Sequence, residues 1–386
     1  MHENYLDMKI ILFANTDWYL YNYRMTLAET LRRLDNELIL LSPFGNFSDR
    51  IKSSGFDWQE VKMTRSGVNP LKEIRTIFHL KDIYRHEKPD LVHHFTSKCV
   101  IYGSIAAKMA GVTRIVNSVT GMGYVFTKNN LLTFFMKPFV IFFYKIALIN
   151  SRVIFQNQQD MDYFIDHHLV KSSQCELIPS SGVDINKFRP VHDQNGDPLI
   201  VLPARMLWDK GIREFVDAAT ILKNKGIEAR FALVGMPDQG NPSSISEKLL
   251  DLWAASGIIE NWGWQEDMVS VYQKASVVCL PSYREGLAKG LIEAAACGRA
   301  LVASDIPGCR EVVDHGINGF LVPPKQIIPL AEAIEKIILD KRLMAKMGKE
   351  SRKIAEREFS VEKINRETIF EYNKLIIGEN AKKLVY

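Results

Sequence analysis

The sequence has little of what would fix a chemistry at first sight. Its 386 residues hold five cysteines, an odd number, with no Cys-x-x-Cys pair and no Cys/His spacing suited to zinc. That excludes a secreted disulfide framework and a zinc module, and it points to free thiols in a reducing compartment. No Gly-x-Gly-x-x-Gly follows the first strand, whose turn reads "NTDWYLYNYR", and "ELILLSP" ends without the acid that would hold an adenosine ribose. Nicotinamide chemistry is thereby excluded, and the absence of a Gly-x4-Gly-Lys-Ser/Thr run excludes phosphoryl transfer on a P-loop. The single Gly-x-Gly, at Gly121 and Gly123 in "TGMGYVF", is weak alone. Neither sign of charge dominates: 49 Lys and Arg face 45 Asp and Glu, for a net charge of +4. The basic residues are spread among acids, so nucleic acid is not required, although an anionic surface or substrate is allowed.

Long clean apolar runs are missing too. The segment "LLTFFMKPFVIFFYKIALIN", Leu131 to Asn150, carries Lys137, Pro138 and Lys145, whereas a membrane span needs about 18 to 20 apolar residues with few charges. The N-terminal stretch "MHENYLDMKIILFANTDWYLYNYR" has acids where an export signal has its basic region, and its apolar run is about six residues long. It reads as a first strand, and the expected setting is the cytoplasm.

What is present is an alternation. In the first half, "KIILFAN" (Lys9 to Asn15), "ELILLSP", "DLVHHFT" (Asp90 to Thr96), "RIVNSVT" (Arg114 to Thr120) and "RVIFQN" (Arg152 to Asn157) read as strands between helical stretches. Continuous apolar strands separated by helices mean parallel sheets covered on both faces. The polar, Pro- and Gly-containing "FRPVHDQNGDP" then reads as a linker. The alternation restarts with "LIVLPAR", "RFALVG", "VVCLPS", "ALVASDI" and "GFLVPP". The expected fold is α/β, with two doubly wound, Rossmann-like domains facing a central cleft. The bounds are 1–190 for the N-terminal domain and 199–360 for the C-terminal domain, with 361–386 a C-terminal helix packing back on the first.

Open parallel sheets bind ligands at the carboxyl ends of their strands, and charged groups collect there. "LIVLPAR" delivers Arg205, and Lys210 follows in "MLWDKG". Two cations on one such loop suit a diphosphate, Arg gripping in a bidentate way and Lys as a point charge. Surface pairs to Asp209 or Glu214 are the plainer alternative. In "PSYREGLAKGLIEAAACG", Glu285 stands ahead of a helix start, Gly286 admits a ligand close to the backbone amides of Leu287 and Ala288, and the helix N-terminus favours phosphate oxygens. Glu293 lies eight residues on, roughly 12 Å along a helix axis. The two acids can grip opposite ends of an extended ligand, since a carboxylate accepts two hydrogen bonds from a vicinal diol. A sugar nucleotide fits: diphosphate on Arg205 and Lys210, ribose on Glu293, hexose hydroxyls on Glu285.

At this point the residues resemble a known family. "PSYREGLAKGLIEAAACGRALVASDIPGCREVVDHGINGFLVPP" is similar to the donor site of glycosyltransferase family 4, retaining enzymes of the two-domain B-type fold. "ARMLWDKGIREFVDAA" resembles its phosphate loop, "LVG", ending at Gly235, its next strand, and "IPSSGVDINKFRP" the segment leading into the linker. The resemblance implies diphosphate on Arg205 and Lys210, donor sugar on Glu285 and ribose on Glu293. It places the base on Gly263, Trp264 and Gln265 of "WGWQED", with a core role for Trp264 the alternative. It also implies a UDP-sugar as donor substrate, with no cofactor and no metal, because cations and helix N-termini neutralise the leaving diphosphate.

The first domain is expected to carry the acceptor. Its "NTDWYLYNYR" turn replaces the Gly-Gly of many relatives and looks like the subgroup acting on polyprenyl-diphosphate-linked sugars in bacterial surface-glycan and protein-glycosylation pathways. Arg24 is the candidate for an acceptor phosphate, with a surface helix arginine the alternative. His94, Thr120, Gly121 and Gly123 are further acceptor-side candidates, with a core or surface histidine the alternative for His94. The aromatic, lysine-bearing Leu131 to Asn150 segment suggests a helix lying in an anionic membrane interface, at the inner face of the cell membrane. The expected activity is transfer of a hexose or N-acetylhexosamine from a UDP-sugar to a lipid-linked saccharide. The alternatives are a nucleotide-sugar epimerase or hydrolase of the same fold, or a non-catalytic nucleotide-sugar-binding subunit.

Overall fold

A computed structural model describes residues 8–63, 70–121, 131–191, 196–238 and 240–377. The chain divides into two compact units, Met1–Ser181 with Ile364–Tyr386, and Gly182–Lys363. Each is built on one parallel sheet.

The first sheet has seven strands: β1 (Lys9–Phe13), β2 (Glu37–Ser42), β3 (Asp57–Glu60), β4 (Leu91–Phe95), β5 (Ile115–Val119), β6 (Arg152–Phe155) and β7 (Cys175–Leu177), in the order β3-β2-β1-β4-β5-β6-β7. Successive side chains on a strand point to opposite faces, and β1 shows the consequence. Ile10 and Leu12 pack with Leu27, Leu31 and Phe95 on one face, while Ile11 and Phe13 pack with Leu80, Tyr84 and Ala106 on the other. The helix Val361–Ile377 joins the first of these cores through Ile364, Ile369 and Tyr372. The Asn365 side-chain amide donates to Thr26 O and Thr30 Oγ1, and Arg152 is paired with the buried Glu371 of the same helix.

The second sheet has six strands: β8 (Leu199–Pro203), β9 (Arg230–Val234), β10 (Glu260–Gly263), β11 (Val277–Leu280), β12 (Ala300–Ser304) and β13 (Gly319–Val322), in the order β10-β9-β8-β11-β12-β13. Ile200 and Leu202 enter one core with Phe215, Leu222 and Ile334. Leu199 and Val201 enter the other with Tyr272, Leu291 and Phe359.

The division between the units departs from the sequence expectation. It falls after Ser181 and not in the polar stretch 188–198, because the residues before that stretch are bound into the second unit. Val183 is buried in its core, its N–H donates to Phe359 O at 2.8 Å, and its carbonyl accepts from Val361 N–H at 3.0 Å. Arg352 donates to the carbonyls of Ile185 and Phe188 at 3.0 and 2.7 Å. Composition marked the polar stretch, while packing sets the boundary. The three strands that the apolar pattern did not reveal, β3, β7 and β10, are all sheet edges whose residues are mostly half-exposed.

Candidate functional site

Strand order reverses at β8 in the second sheet: the chain runs outward through β9 and β10 on one side and through β11, β12 and β13 on the other. The crevice beside such a reversal, at the carboxyl ends of the strands, is where open α/β sheets bind ligands. Here β8 contributes the loop carrying Arg205 and Lys210, and β11 contributes the turn Ser282 to Glu285. The two loops touch at Gly211, whose φ is +70° and where a Cβ would come within 2.1 Å of Pro281 O, so only glycine closes the turn. Lys210 Nζ then lies 2.5 Å from Glu285 Oε1, and Ser282 Oγ donates to the same oxygen at 2.8 Å. The Lys210 and Glu285 side chains are 18% and 12% exposed, so the pair is shielded but reachable.

Two sequence expectations need correction at this loop. The helix starts at Lys289 and not near Glu285, so the helical reckoning of the distance from Glu285 to Glu293 does not apply. The Ala288 N–H is already donated to Gly308 O at 3.3 Å, which removes it from the set of amides facing a phosphate. Packing explains the shift: a Cβ on Gly308 would meet Glu285 O at 2.6 Å, so the turn after β12 presses on residues 285–288 and holds them as a loop. Gly286 and Leu287 lie in that loop. Glu293 sits in the second turn of the helix Lys289–Ala296, accepts from Tyr272 OH at 3.1 Å and has Lys289 Nζ at 3.7 Å. Burial raises its pKa above the ordinary carboxylate value, against the opposing pull of Lys289 and Tyr272.

Arg205 is half-exposed and pairs with Asp238, on the loop after β9, at 2.5 Å. It therefore pairs with neither Asp209 nor Glu214. Gly235, at φ +142°, ends β9 where a Cβ would meet Ala204 O at 1.9 Å, and its N–H donates to Gly263 O at 2.8 Å. The ends of β8, β9 and β10 are thereby stitched together. Just beyond β10, Trp264 is 55% exposed, a ring open to stacking and not part of a core. Gln265 donates to Trp262 O at 2.7 Å. Gly263 closes β10, and Arg205, Lys210, Gly235, Trp264, Glu285, Gly286, Leu287 and Ala288 follow the carboxyl ends of β8 to β11.

Sequence reasoning missed Ser282, Tyr272 and Asp238, and it missed the Glu214–Tyr283 contact, where Tyr283 OH donates to the buried Glu214 at 2.7 Å. A signal for Ser282 existed: "SYRE" sets a hydroxyl three residues before the acid, which in a turn is close enough for Ser282 Oγ to donate to Glu285.

In the first sheet the order reverses at β1, beside β4. Arg24, between the helices Asp17–Tyr23 and Met25–Arg33, is 5% exposed. Its guanidinium lies 4.2 Å from the Phe95 ring centroid, donates to Tyr19 OH at 2.8 Å, and leaves a buried Nε without a partner. Among the described residues no carboxylate lies within 4.0 Å of it. Thr120 and Gly121 follow β5, and Gly121 O accepts from Ser97 Oγ at 3.4 Å. Gly123 lies outside the described residues.

His94 is corrected: it is a core residue. It is fully buried, with ring nitrogens at 3.1 Å from Tyr84 OH and 3.0 Å from Asn117 Oδ1, and burial lowers its pKa to about 4, so it stays neutral. His93 is equally buried on the other face, between Tyr372 OH at 2.6 Å and Ser118 Oγ at 2.7 Å. Among the described residues no cluster of three or more His, Cys, Asp or Glu is placed to hold a metal, and no helix is long and apolar enough to cross a membrane.

Two family models match the chain: glycosyl transferases group 1 over residues 184–354, and glycosyl transferase 4-like over residues 9–158. The chain is 27% identical over 359 residues to the N,N'-diacetylbacillosaminyl-diphospho-undecaprenol alpha-1,3-N-acetylgalactosaminyltransferase of Campylobacter jejuni, covering 89% of this chain and 92% of that protein. It is 27% identical over 297 residues to the UDP-Gal:alpha-D-GlcNAc-diphosphoundecaprenol alpha-1,3-galactosyltransferase of Escherichia coli, covering 72% and 73%. Among solved structures it is similar to a glycosyltransferase from Rickettsia africae, with TM-score 0.78 and 18% identity over 97% of this chain and 100% of that one. It is similar also to Anabaena HepE in complex with UDP and glucose, with TM-score 0.75 and 19% identity over 94% and 98%. At these identities the structural likeness is one of fold.

Proposed function

The chain belongs to the family-4-like glycosyltransferases of the two-domain B-type fold, and from that premise we propose that it moves a hexose or N-acetylhexosamine from a UDP-sugar to a saccharide carried on a polyprenyl diphosphate. The observation that carries the reading is the Lys210–Glu285 pair at the reversal of the second sheet, a cation for phosphate beside a carboxylate for sugar hydroxyls. Two relatives named for transfer to diphosphoundecaprenol-linked sugars, each matching more than two thirds of the chain, support the acceptor class. Neither the epimerase or hydrolase reading nor the non-catalytic one finds support among them.

In this reading Arg205 and Lys210 neutralise the leaving diphosphate, Glu285 orients the donor sugar, Glu293 accepts from the ribose hydroxyls, and Trp264 stacks on the base with Gly263 beside it. Preorganised cations aimed at developing charge supply the stabilisation a metal would otherwise give, so no metal or other cofactor is invoked. An acceptor hydroxyl oxygen bonds to the anomeric carbon as the bond to the phosphate oxygen breaks. The hydroxyl proton passes to the departing phosphate, and attack on the same face retains configuration. Arg24, a buried cation with no carboxylate beside it among the described residues, is the acceptor-phosphate candidate in the first unit, and Thr120 and Gly121, after β5 of the same sheet, are further acceptor-side candidates.

We also place the enzyme peripherally at an anionic cytoplasmic membrane face. Among its described residues the helix Leu131–Leu148 buries Tyr144, Ala147 and Leu148, with Val140 and Ile141 partly buried beside them. Its outward side, continued one residue past the helix, exposes Phe139, Phe142, Phe143, Ile146 and Ile149, with Phe139 67% exposed. Their helical spacing makes one apolar stripe. Beside it a cavity of ≈ 1060 Å³ is lined in part by Lys145 and Lys171, cations suited to headgroup phosphates. Lys128 and the Phe134 and Phe135 side chains lie outside the described residues.

The test is to incubate the protein with a panel of nucleotide sugars and a short-chain polyprenyl diphosphate sugar and to weigh the products. The expected result is an acceptor heavier by one hexose or N-acetylhexosamine, with UDP released. Recovery of unchanged acceptor with every donor, or of an epimerised or free sugar instead, would overturn the reading.

A further inference from the structure

We infer that Asp238 is the counter-charge that Arg205 exchanges for the donor diphosphate, and that this exchange tempers nucleotide affinity and eases release of the nucleoside diphosphate product. The inference rests on the reading of Arg205 as a diphosphate ligand. Both cations of the loop after β8 have a carboxylate partner within the chain, Lys210 in Glu285 and Arg205 in Asp238. Glu285 has a second task in the donor sugar. Asp238 stands on a different loop and has none assigned.

Its placement is built. Arg205 and Asp238 lie on loops joined by backbone hydrogen bonds from Ala204 N to Val234 O and from Met206 N to Met236 O, each 3.0 Å. Ile245 N and Trp208 N close the other side, donating to Met206 O and Ser243 O at 2.9 Å. Asp238 N–H donates to Ser244 Oγ at 3.0 Å, and the Asn241 amide donates to Asp238 Oδ2 at 3.4 Å. The carboxylate is therefore aimed at Arg205 by its own loop, and it does not follow the guanidinium when that swings away. An ion pair as open as this one is weak, because water screens it and two side chains lose freedom. A diphosphate offers Arg205 a bidentate, more highly charged partner. Binding then displaces Asp238 at small cost and leaves a fixed negative charge beside the ligand. When the product leaves, Asp238 re-pairs with Arg205, so the cation is never left bare.

The test uses UDP as probe, by calorimetry and as product inhibitor. Asp238→Asn keeps the shape and both loop hydrogen bonds but removes the charge. It should tighten UDP binding about 3- to 10-fold, strengthen inhibition by UDP by the same factor and lower the donor KM. In an Arg205→Gln background the same substitution should change UDP affinity less than about twofold, because the exchange partner is gone. Unchanged or weakened UDP binding in Asp238→Asn, with an unaltered melting temperature, would overturn the inference while leaving the donor site standing. A gain of equal size in both backgrounds would overturn it too, reducing Asp238 to a general repulsive charge. If the wild-type protein binds no UDP, the donor reading itself fails, and the inference with it.

Discussion

Replacing Lys210 by alanine separates what that residue does for the reaction from what it does for the fold. The substitution removes an ammonium 2.5 Å from Glu285 Oε1 and leaves Glu285, 12% exposed, with the Ser282 hydroxyl as its remaining short contact in this cluster. Two losses follow. The first is catalytic: a fixed donor aimed at charge that develops on a leaving group is worth about 3 to 4 kcal/mol, so turnover should fall at least about 100-fold. The second is structural: a shielded carboxylate deprived of its partner costs on the order of 1–3 kcal/mol, less than for a fully buried pair because water still reaches this one. The single variant mixes the two. The double variant Lys210→Ala with Glu285→Gln isolates the structural part, since it removes the orphaned charge and should return most of the melting temperature; its turnover stays low because the phosphate cation and the sugar carboxylate are both gone. Product mass against time and thermal melting, measured on the same preparations, read the two effects apart. Lys210→Ala turning over within tenfold of wild type would refute the leaving-group role. So would recovery of turnover in the double variant, which would show that the loss came from an unsettled fold.

The remaining predictions concern the buried acid, the metal and the membrane. A carboxyl whose folded pKa is raised, as burial raises that of Glu293, favours the folded state most when protonated; that advantage is full below the ordinary carboxyl pKa and is lost as pH rises through the folded value. Glu293→Gln should therefore melt higher than wild type at about pH 7.5, with the gap closing towards about pH 4, and should bind the nucleotide sugar about 10-fold more weakly for want of a charged acceptor. Glu293→Gln melting below wild type near neutral pH would contradict this. Turnover should be unchanged in excess chelator, and strict dependence on added Mn²⁺ or Mg²⁺ would reject the cationic grip on the diphosphate. The protein should sediment with anionic vesicles at low salt and be partly released by high salt, and Phe142→Ser with Phe143→Ser should weaken that binding without loss of UDP binding; wild-type protein left in the supernatant would remove the membrane proposal alone.

Local pattern carries information where burial dictates the residue type, and it stops where distant elements decide. Strands buried on both faces declare themselves as apolar runs, and the interior strands of both sheets, such as "KIILF" and "ALVAS", lie where the pattern put them. The edge strands β3, β7 and β10 are half-covered, so burial asks less of their residues and the pattern fades. His94 misled because a histidine at a strand end can serve a substrate or a core, and the deciding neighbours, Tyr84 and Asn117, come from other elements. The charges show the same limit. That Arg205, Lys210 and Glu285 stand after strands can be read directly, because each follows an apolar run. Which carboxylate reaches which cation cannot, because it depends on which strands are neighbours. Lying beside β11, β8 brings Lys210 to Glu285 across 75 residues of sequence; lying beside β9 on its other edge, it brings Arg205 to Asp238 across 33. One strand between two neighbours thus gives its loop two cations and assigns each a different acid, which is why Lys210→Ala and Asp238→Asn should act on turnover and nucleotide affinity by separable routes.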